Sequence, residues 1–125
     1  MDVDVSATRD YYNSITDSAL CSCGYCRNYR LQIKSVLPEV TTYLDSLGID
    51  IEKPFETSPL EPDENEMLEY CGCQYIVFGN CNPAYHHRIG DVGFRIATSY
   101  PSTGIEQEHF VLELFPVQLK FVCKD

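Results

Sequence analysis

The sequence predicts an α+β fold, in which a helical pair or one kinked helix packs on an antiparallel sheet of three to five strands. Three observations support this prediction. Apolar residues recur every three or four positions before residue 48, and they recur at every second position after residue 70. Between these two regions lie Pro54, Pro59 and Pro62, which prevent a continuous helix or a central strand there.

The helical stripe consists of Tyr29, Ile33, Leu37, Val40, Leu44 and Leu47. Pro38 interrupts this stripe, because a proline inside a helix removes a hydrogen bond and clashes with the preceding turn. The sequence therefore predicts two short helices, at about 25–35 and about 38–47, or one kinked helix over about 25–47. Pro38 suits the first position of the second helix, and Gly48 suits its C-terminal cap.

The strands are predicted from alternation. Residues 70–79 are apolar on both faces, as in a central strand, whereas residues 92–98, 110–115 and 117–123 alternate. The alternation changes phase across Pro116, which predicts a bend or a bulge there. A weaker strand is predicted through residues 9–16. A hydrophobic edge strand is predicted near 110–122. This strand could pair with its copy in a second chain across a two-fold axis, so a homodimer stays open.

Charge narrows the functional classes. The 125 residues contain 9 Lys and Arg against 19 Asp and Glu, so the formal net charge is -10. This balance argues against a nucleic-acid partner, because phosphate contacts need Lys and Arg, and it favours a basic protein partner. The segment 61–69 carries five acidic residues and no basic one, and we interpret 52–67 as an acidic, proline-rich surface linker within a single domain, 1–125.

The N-terminal region predicts the compartment. It lacks the basic start and apolar run of a secretory signal, and no stretch of the chain approaches the roughly 20 apolar residues that span a bilayer. We therefore expect a cytoplasmic protein that has no membrane partner, in which the seven cysteines do not form disulfides.

Cys21, Cys23 and Cys26 form the most informative motif, because three thiols within six residues can converge on one ion. Thiolates suit zinc, which they bind tetrahedrally at about 2.3 Å, and Gly24 would permit the turn that brings Cys26 towards Cys23. The sequence therefore predicts these three cysteines as metal ligands and zinc as the candidate cofactor. Candidates for a fourth ligand are Cys71, Cys73, Cys81, Cys123, His86, His87 and His109.

Two other interpretations of the cysteines stay open. Free cysteine is among the most buried residue types, so these residues also fit as small hydrophobic side chains of the core. Alternatively, Cys23-Gly24-Tyr25-Cys26 precedes a predicted helix, whose dipole and free N–H groups would lower the pKa of a thiol for thiol–disulfide redox chemistry. The chain lacks the βαβ context of such motifs. Cys71 and Cys73 are two apart in a predicted strand, where alternate residues point to one face. This pair could supply one ligand, or both if it meets the first cluster.

The sequence predicts no catalytic residues. His86 and His87 fall in a predicted loop over 82–88, and neighbours in an extended segment point opposite ways, so the two rarely bind one ion together. No Gly-rich phosphate loop, nucleophile elbow or catalytic carboxylate pair is present. The sequence therefore favours a small binding or interaction protein over an enzyme, and a thiol–disulfide redox protein is the alternative.

Several short motifs in the first half of the chain occur together. They are Cys21-x-Cys23-x-x-Cys26-Arg27-Asn28-Tyr29, Pro38-Glu39, Leu44, Leu47-Gly48-Ile49-Asp50 and Lys53-Pro54-x-Glu56. This stretch, about 21–56, resembles a small family of uncharacterised bacterial proteins that has no established activity. The resemblance implies an intracellular bacterial protein and a local unit formed by the three cysteines and Asn28. Asn28 is expected to bond to the backbone of the cysteine turn.

Overall fold

A computed structural model describes residues 1–123 and shows the predicted α+β fold. Three helices pack on an antiparallel sheet, and a single 3₁₀ turn, Asp17–Ala19, lies between the first two helices. The helices are α1 (Val5–Ser14), α2 (Gly24–Val36) and α3 (Pro38–Ser46). The strands are β1 (Asp2–Val3), β2 (Glu56–Pro59), β3 (Met67–Asn80), β4 (His86–Ile89), β5 (Val92–Ile96), β6 (His109–Phe115) and β7 (Val117–Lys120).

Strand β3 is the centre of the sheet. The main path of the sheet is β1-β3-β6-β5-β4, and the short strands β2 and β7 also pair with β3. The break predicted at Pro116 is confirmed, since β6 ends before it and β7 begins after it. The register of β3 is the same on both sides, with Cys73 opposite Leu114 and Tyr70 opposite Val117. The chain therefore bends at Pro116, and β3 bends with it. Neither side has the extra residue that would make a bulge.

The two short helices predicted around Pro38 are confirmed as α2 and α3, with Pro38 at the start of α3. Gly48 ends α3 with a φ of 88°, and the N–H of Ile49 donates to the carbonyl of Leu44 at 3.0 Å, as in a Schellman cap. A side chain at position 48 would also collide with α1, because its Cβ would lie 2.6 Å from the carbonyl oxygen of Val5. Gly48 therefore ends one helix and allows another to approach.

The strand predicted through residues 9–16 is wrong, because this region lies mostly in helix α1. The carboxylate of Asp4 caps the helix by accepting from the N–H of Ala7 at 3.0 Å. Thr8 and Tyr12 are buried one turn apart on its inner face, and the hydroxyl of Tyr12 donates to the carbonyl of Ile76 in β3. The cap at Asp4 and the i, i+4 spacing of Thr8 and Tyr12 determine a helix here.

The main core lies between the helices and one face of the sheet, and buried tyrosines connect these layers. Tyr29 of α2 donates to the hydroxyl of Tyr75 in β3, and Tyr75 donates to the carbonyl of Ile51. Both tyrosine side chains are fully buried. A smaller cluster on the opposite face contains Ile76, Phe78, Ala97 and Val111. Helix α2 is thus attached to the sheet through the centre of the core.

Three further sequence predictions concern loops and edges. The segment 52–67 has no buried residue, but it includes β2, which pairs with β3. The loop predicted over 82–88 is partly wrong, because β4 begins at His86 and pairs with β5. The edge strand predicted near 110–122 is also wrong over its first part, since β6 lies between β3 and β5. Over residues 1–123, no helix has the length and apolar character needed to cross a bilayer.

Candidate functional site

Cys21, Cys23 and Cys26 come together where helix α2 begins. Their three Sγ atoms all lie within 4.8 Å of one another. No other Cys, His, Asp or Glu among residues 1–123 joins this group. All seven cysteines of the chain are free thiols. The predicted convergence of the three thiols is therefore confirmed, while metal binding itself stays a prediction.

The first turn of α2 brings Cys26 towards Cys23. Cys23 is the N-cap residue, and its Sγ accepts from the N–H of Cys26 at 3.5 Å. Its carbonyl accepts from the N–H of Arg27 at 3.0 Å, which is the first hydrogen bond of the helix. Gly24 has no positive φ, so the turn is ordinary helix and does not use the conformational freedom of glycine. The convergence follows from the helix start itself.

Two side chains outside the motif contact Cys21 and Cys26. The guanidinium of Arg30 donates to the carbonyl of Cys21 at 2.8 Å, which fixes the residue that precedes the helix. The Sγ of Cys26 lies 3.9 Å from the hydroxyl of Thr57 in β2. Arg30 follows Cys26 by one helical turn, so the sequence carried a signal for it. Thr57 carried none, because its position depends on the pairing of β2 with β3.

The pKa values of Cys21 and Cys26 are shifted in opposite directions by their surroundings. The N–H of Cys23, and then the side chains of Cys26 and Cys23, stabilise the Cys21 thiolate and lower the pKa of Cys21 below its ordinary value. Burial raises the pKa of Cys26 to about 12, and its hydrogen bonds to the other two thiols act in the same direction. The half-buried cysteine therefore holds its proton, whereas Cys21 at the surface gives it up more easily.

A pocket of about 260 Å³ opens beside the cluster. The three cysteines form one side of it, and Leu20, Phe55 and Pro59 form apolar walls. The charged side chains of Arg30 and Glu56 also line it. Because a water molecule takes about 30 Å³ of liquid volume, the pocket has room for water or for a donor group from another molecule.

The second Cys-x-Cys pair does not join the cluster. Cys71 is exposed, and its thiol points towards the carboxylate of Glu69 at 4.0 Å, whereas Cys73 is fully buried in the main core. The prediction that both point to one face is wrong, because β3 bends between Tyr70 and Cys73 so that these two residues face the core. Burial raises the pKa of the Cys73 thiol.

The remaining candidates for a fourth ligand lie outside the group. His86 and His87 point to opposite faces of β4, as predicted, and the ring of His87 lies 4.8 Å from that of Tyr43. His109 bonds to the hydroxyl of Thr103 and to the carbonyl of Gln107. Neither Cys81 nor Cys123 comes within range of the three sulfurs.

Asn28 does not bond to the cysteine turn, so the expected role is wrong. Its buried side chain accepts from the N–H groups of Val122 and Cys123, at 2.8 and 3.2 Å, and donates to the carbonyl of Lys120 at 3.0 Å. The asparagine therefore attaches the end of the described chain to helix α2, half a turn after Cys26. Its role is still structural.

Comparison of the chain with family models, with curated proteins and with solved structures finds no match in any of the three. The resemblance of the cysteine and Leu-Gly-Ile-Asp motifs to a bacterial family stays a prediction. The Lys53-Pro54 motif, which follows Leu-Gly-Ile-Asp in the sequence, has a structural explanation. Lys53 donates to the carbonyls of Tyr12 and Ile15, and thereby holds the C-terminal end of α1.

Proposed function

We propose that this protein is a small acidic binding protein whose Cys21, Cys23 and Cys26 bind one zinc ion. The observation that supports this proposal is the approach of the three Sγ atoms to within 4.8 Å of one another. In a tetrahedral site with Zn–S bonds of about 2.3 Å, the sulfurs are about 3.8 Å apart. The thiols therefore need to close by only about 1 Å around the ion.

The charge of the site favours the same assignment. A zinc ion with three thiolates carries one net negative charge, and the guanidinium of Arg30 lies at the same pocket. The helix dipole of α2 also places partial positive charge beside Cys23 and Cys26. Both features favour an anionic zinc–thiolate cluster, in which the ion has to displace the proton that burial holds on Cys26.

The acidic surface supports a basic protein as the partner. Glu61, Asp63, Glu64 and Glu66 are exposed in the segment before β3. This segment forms a defined turn, in which the carboxylate of Asp63 accepts from the N–H groups of Asn65 and Met67 at 2.8 and 2.9 Å. Opposite charge steers association and is screened by salt. A complex with a basic partner should therefore weaken as salt rises, and a salt-independent affinity would contradict this part of the proposal.

The zinc assignment is tested by metal analysis and by titration of the metal-free protein with Zn²⁺. We expect about one zinc per chain, and a loss of affinity of more than about 100-fold in Cys21→Ser, Cys23→Ser and Cys26→Ser, because each removes a ligand. Cys71→Ser is the matched control, since Cys71 is exposed and lies outside the group. Equal affinity in all four variants would exclude the cluster as the site.

A second candidate function rests on the lowered pKa of Cys21. An exposed, deprotonated thiol is the attacking group of thiol–disulfide exchange, and Cys23 or Cys26 is close enough to attack the mixed disulfide. The raised pKa of Cys26 makes this thiol a poor attacking group. The candidate nucleophile is therefore Cys21 and not a cysteine of the Cys23–Cys26 motif. Reduction of a model disulfide by the metal-free protein, lost in Cys21→Ser, would support this alternative.

A further inference from the structure

We infer that the cysteine cluster is an exchangeable zinc site, which passes its ion to the thiolates of an acceptor protein, and that the fold does not depend on this ion. The inference rests on the proposed zinc binding and concerns what the site is for. Three independent features support it: the accessibility of the ligands, the set of three ligands that residues 1–123 bring together, and the attachment of α2 to the rest of the molecule.

The ligands are accessible. Cys21 and Cys23 are exposed, and only Cys26 is partly buried. Structural zinc sites are normally closed by four protein ligands, whereas sites that react keep one position open. Here the described part of the chain supplies three ligands to the group and no fourth. The adjoining pocket gives an incoming thiolate a path to the fourth position.

Helix α2 is held by the core and not by its first turn. Tyr29 and Ile33 are fully buried, and the removal of their apolar surface from water holds the helix on the sheet. Asn28 connects the helix to the C-terminal segment through three backbone hydrogen bonds. The hydroxyl of Tyr70 bonds to the carbonyl of Tyr25 in the first turn. These contacts need no ligand at the cysteines, in contrast to domains that fold only with zinc.

The helix start is also satisfied by protein groups. The Sγ of Cys23 accepts from the N–H of Cys26, so the cap forms with the thiol itself. Cys21 lies before the helix, where the hydrogen bond from Arg30 to its carbonyl fixes it. Since Cys21 is the ligand outside the helix, it can leave the ion without any disturbance of α2.

The transfer proceeds by ligand exchange. An acceptor thiolate forms a bond to zinc at the fourth position, and the bond from zinc to Cys21 then breaks. Further acceptor thiolates replace Cys23 and Cys26 in the same way, and the ion remains Zn²⁺ throughout. Each acceptor thiol loses a proton when it binds, and each released cysteine whose pKa lies above the ambient pH takes one up.

The acceptor is a protein that offers thiolates and carries a basic surface. Thiolates are needed because they match the donors that they replace, and an acceptor with four of them binds zinc more tightly than three. The formal charge of -10 on this chain favours a basic surface around those thiolates, since it steers the encounter.

The transfer role is tested by the rate of zinc release from the loaded protein to the chromophoric chelator 4-(2-pyridylazo)resorcinol. Attack at an open position predicts a release rate that rises linearly with chelator concentration. Thr57→Cys places a fourth thiol beside Cys26, so it should close the site and slow release by at least about tenfold. Ser58→Cys is the matched control, because Ser58 is the exposed neighbour on the other side of β2 and should leave the rate unchanged.

Circular dichroism of the metal-free protein completes the test, with an unchanged helical signal expected. Release that is independent of chelator concentration, or loss of helix with the metal, would overturn the transfer role while zinc binding stands. Absence of zinc binding at stoichiometric metal would instead overturn the proposed function, and the transfer role with it. The two failures are therefore distinguishable.

Discussion

Two regions of this molecule carry a Cys-x-Cys sequence and use it in opposite ways. Cys21 and Cys23 stand before a helix, are both exposed, and meet the thiol of Cys26. Cys71 and Cys73 stand in strand β3, where a bend leaves one exposed and the other fully buried. Spacing alone therefore does not bring thiols together. The thiols converge where a helix start folds the chain back on itself, and they point to different faces where a strand bends.

The largest difference between the two regions should appear in thiol reactivity. Iodoacetamide at about pH 7 should modify Cys21 first, because its pKa is lowered and it is exposed. Cys73 should react more than about 1,000-fold more slowly, because modification requires unfolding of the core. Peptide mass mapping over time gives both rates. Rapid native-state modification of Cys73 would contradict its place in the core.

Stability should separate Cys71 from Cys73. Cys73→Ser places a smaller and more polar group in the core, and we expect it to lower the free energy of unfolding by about 1–3 kcal/mol. Cys71→Ser should change it by less than about 0.5 kcal/mol, as for other exposed sites. Urea denaturation of the metal-free proteins measures both. Equal effects would show that the bend does not distinguish these residues.

The pH dependence of zinc affinity should reveal the protonated thiol of the cluster. The pKa of Cys26 is raised to about 12, so zinc must displace its proton at every pH below that value. Affinity should therefore rise with pH, by at least about tenfold per unit between about pH 6 and about pH 8. Competition with a chelator of known affinity gives this slope. An affinity that does not change with pH would show that no thiol proton is released.

The smallest expected effect is on zinc affinity, when the hydrogen bond from Arg30 to Cys21 is removed. Arg30→Gln removes the hydrogen bond to the carbonyl of Cys21, which contributes about 0.5–1.5 kcal/mol, so zinc affinity should fall about three- to tenfold. Arg88→Gln is the matched control, because Arg88 is exposed in β4 and outside the pocket of the cluster. Equal losses in both variants would attribute the effect to net charge alone.

Much of the fold and of the candidate site follows from the sequence. Periodicity identified α2 and α3, Pro38 divided them, and the change of phase at Pro116 identified the bend. Helix α1 was missed because its signal is the Asp4 cap and the spacing of Thr8 and Tyr12, and not an apolar stripe. The three cysteines were identified because a helix start brings close neighbours in the chain together.

The rest of the site depends on contacts between distant segments. Thr57 reaches Cys26 only because β2 pairs with β3, and no local pattern predicts that pairing. Cys73 and Cys71 point to different faces because β3 follows the bend between β6 and β7. The proline that marks this bend is Pro116, and β3 itself contains no proline. Asn28 follows the cysteine motif in sequence but binds the chain about 90 residues later.

Strand β3 has a consequence for the cooperativity of unfolding. It hydrogen-bonds to four other strands, β1, β2, β6 and β7, so its middle cannot open without the loss of most of the sheet. The amides of Ile76 and Val77 should therefore exchange with solvent deuterium only through global unfolding, while the first turn of α2 exchanges through local opening. Zinc at the cluster would slow the second exchange far more than the first. One deuterium-exchange map would thus record both the stability of the whole domain and the occupancy of its surface site.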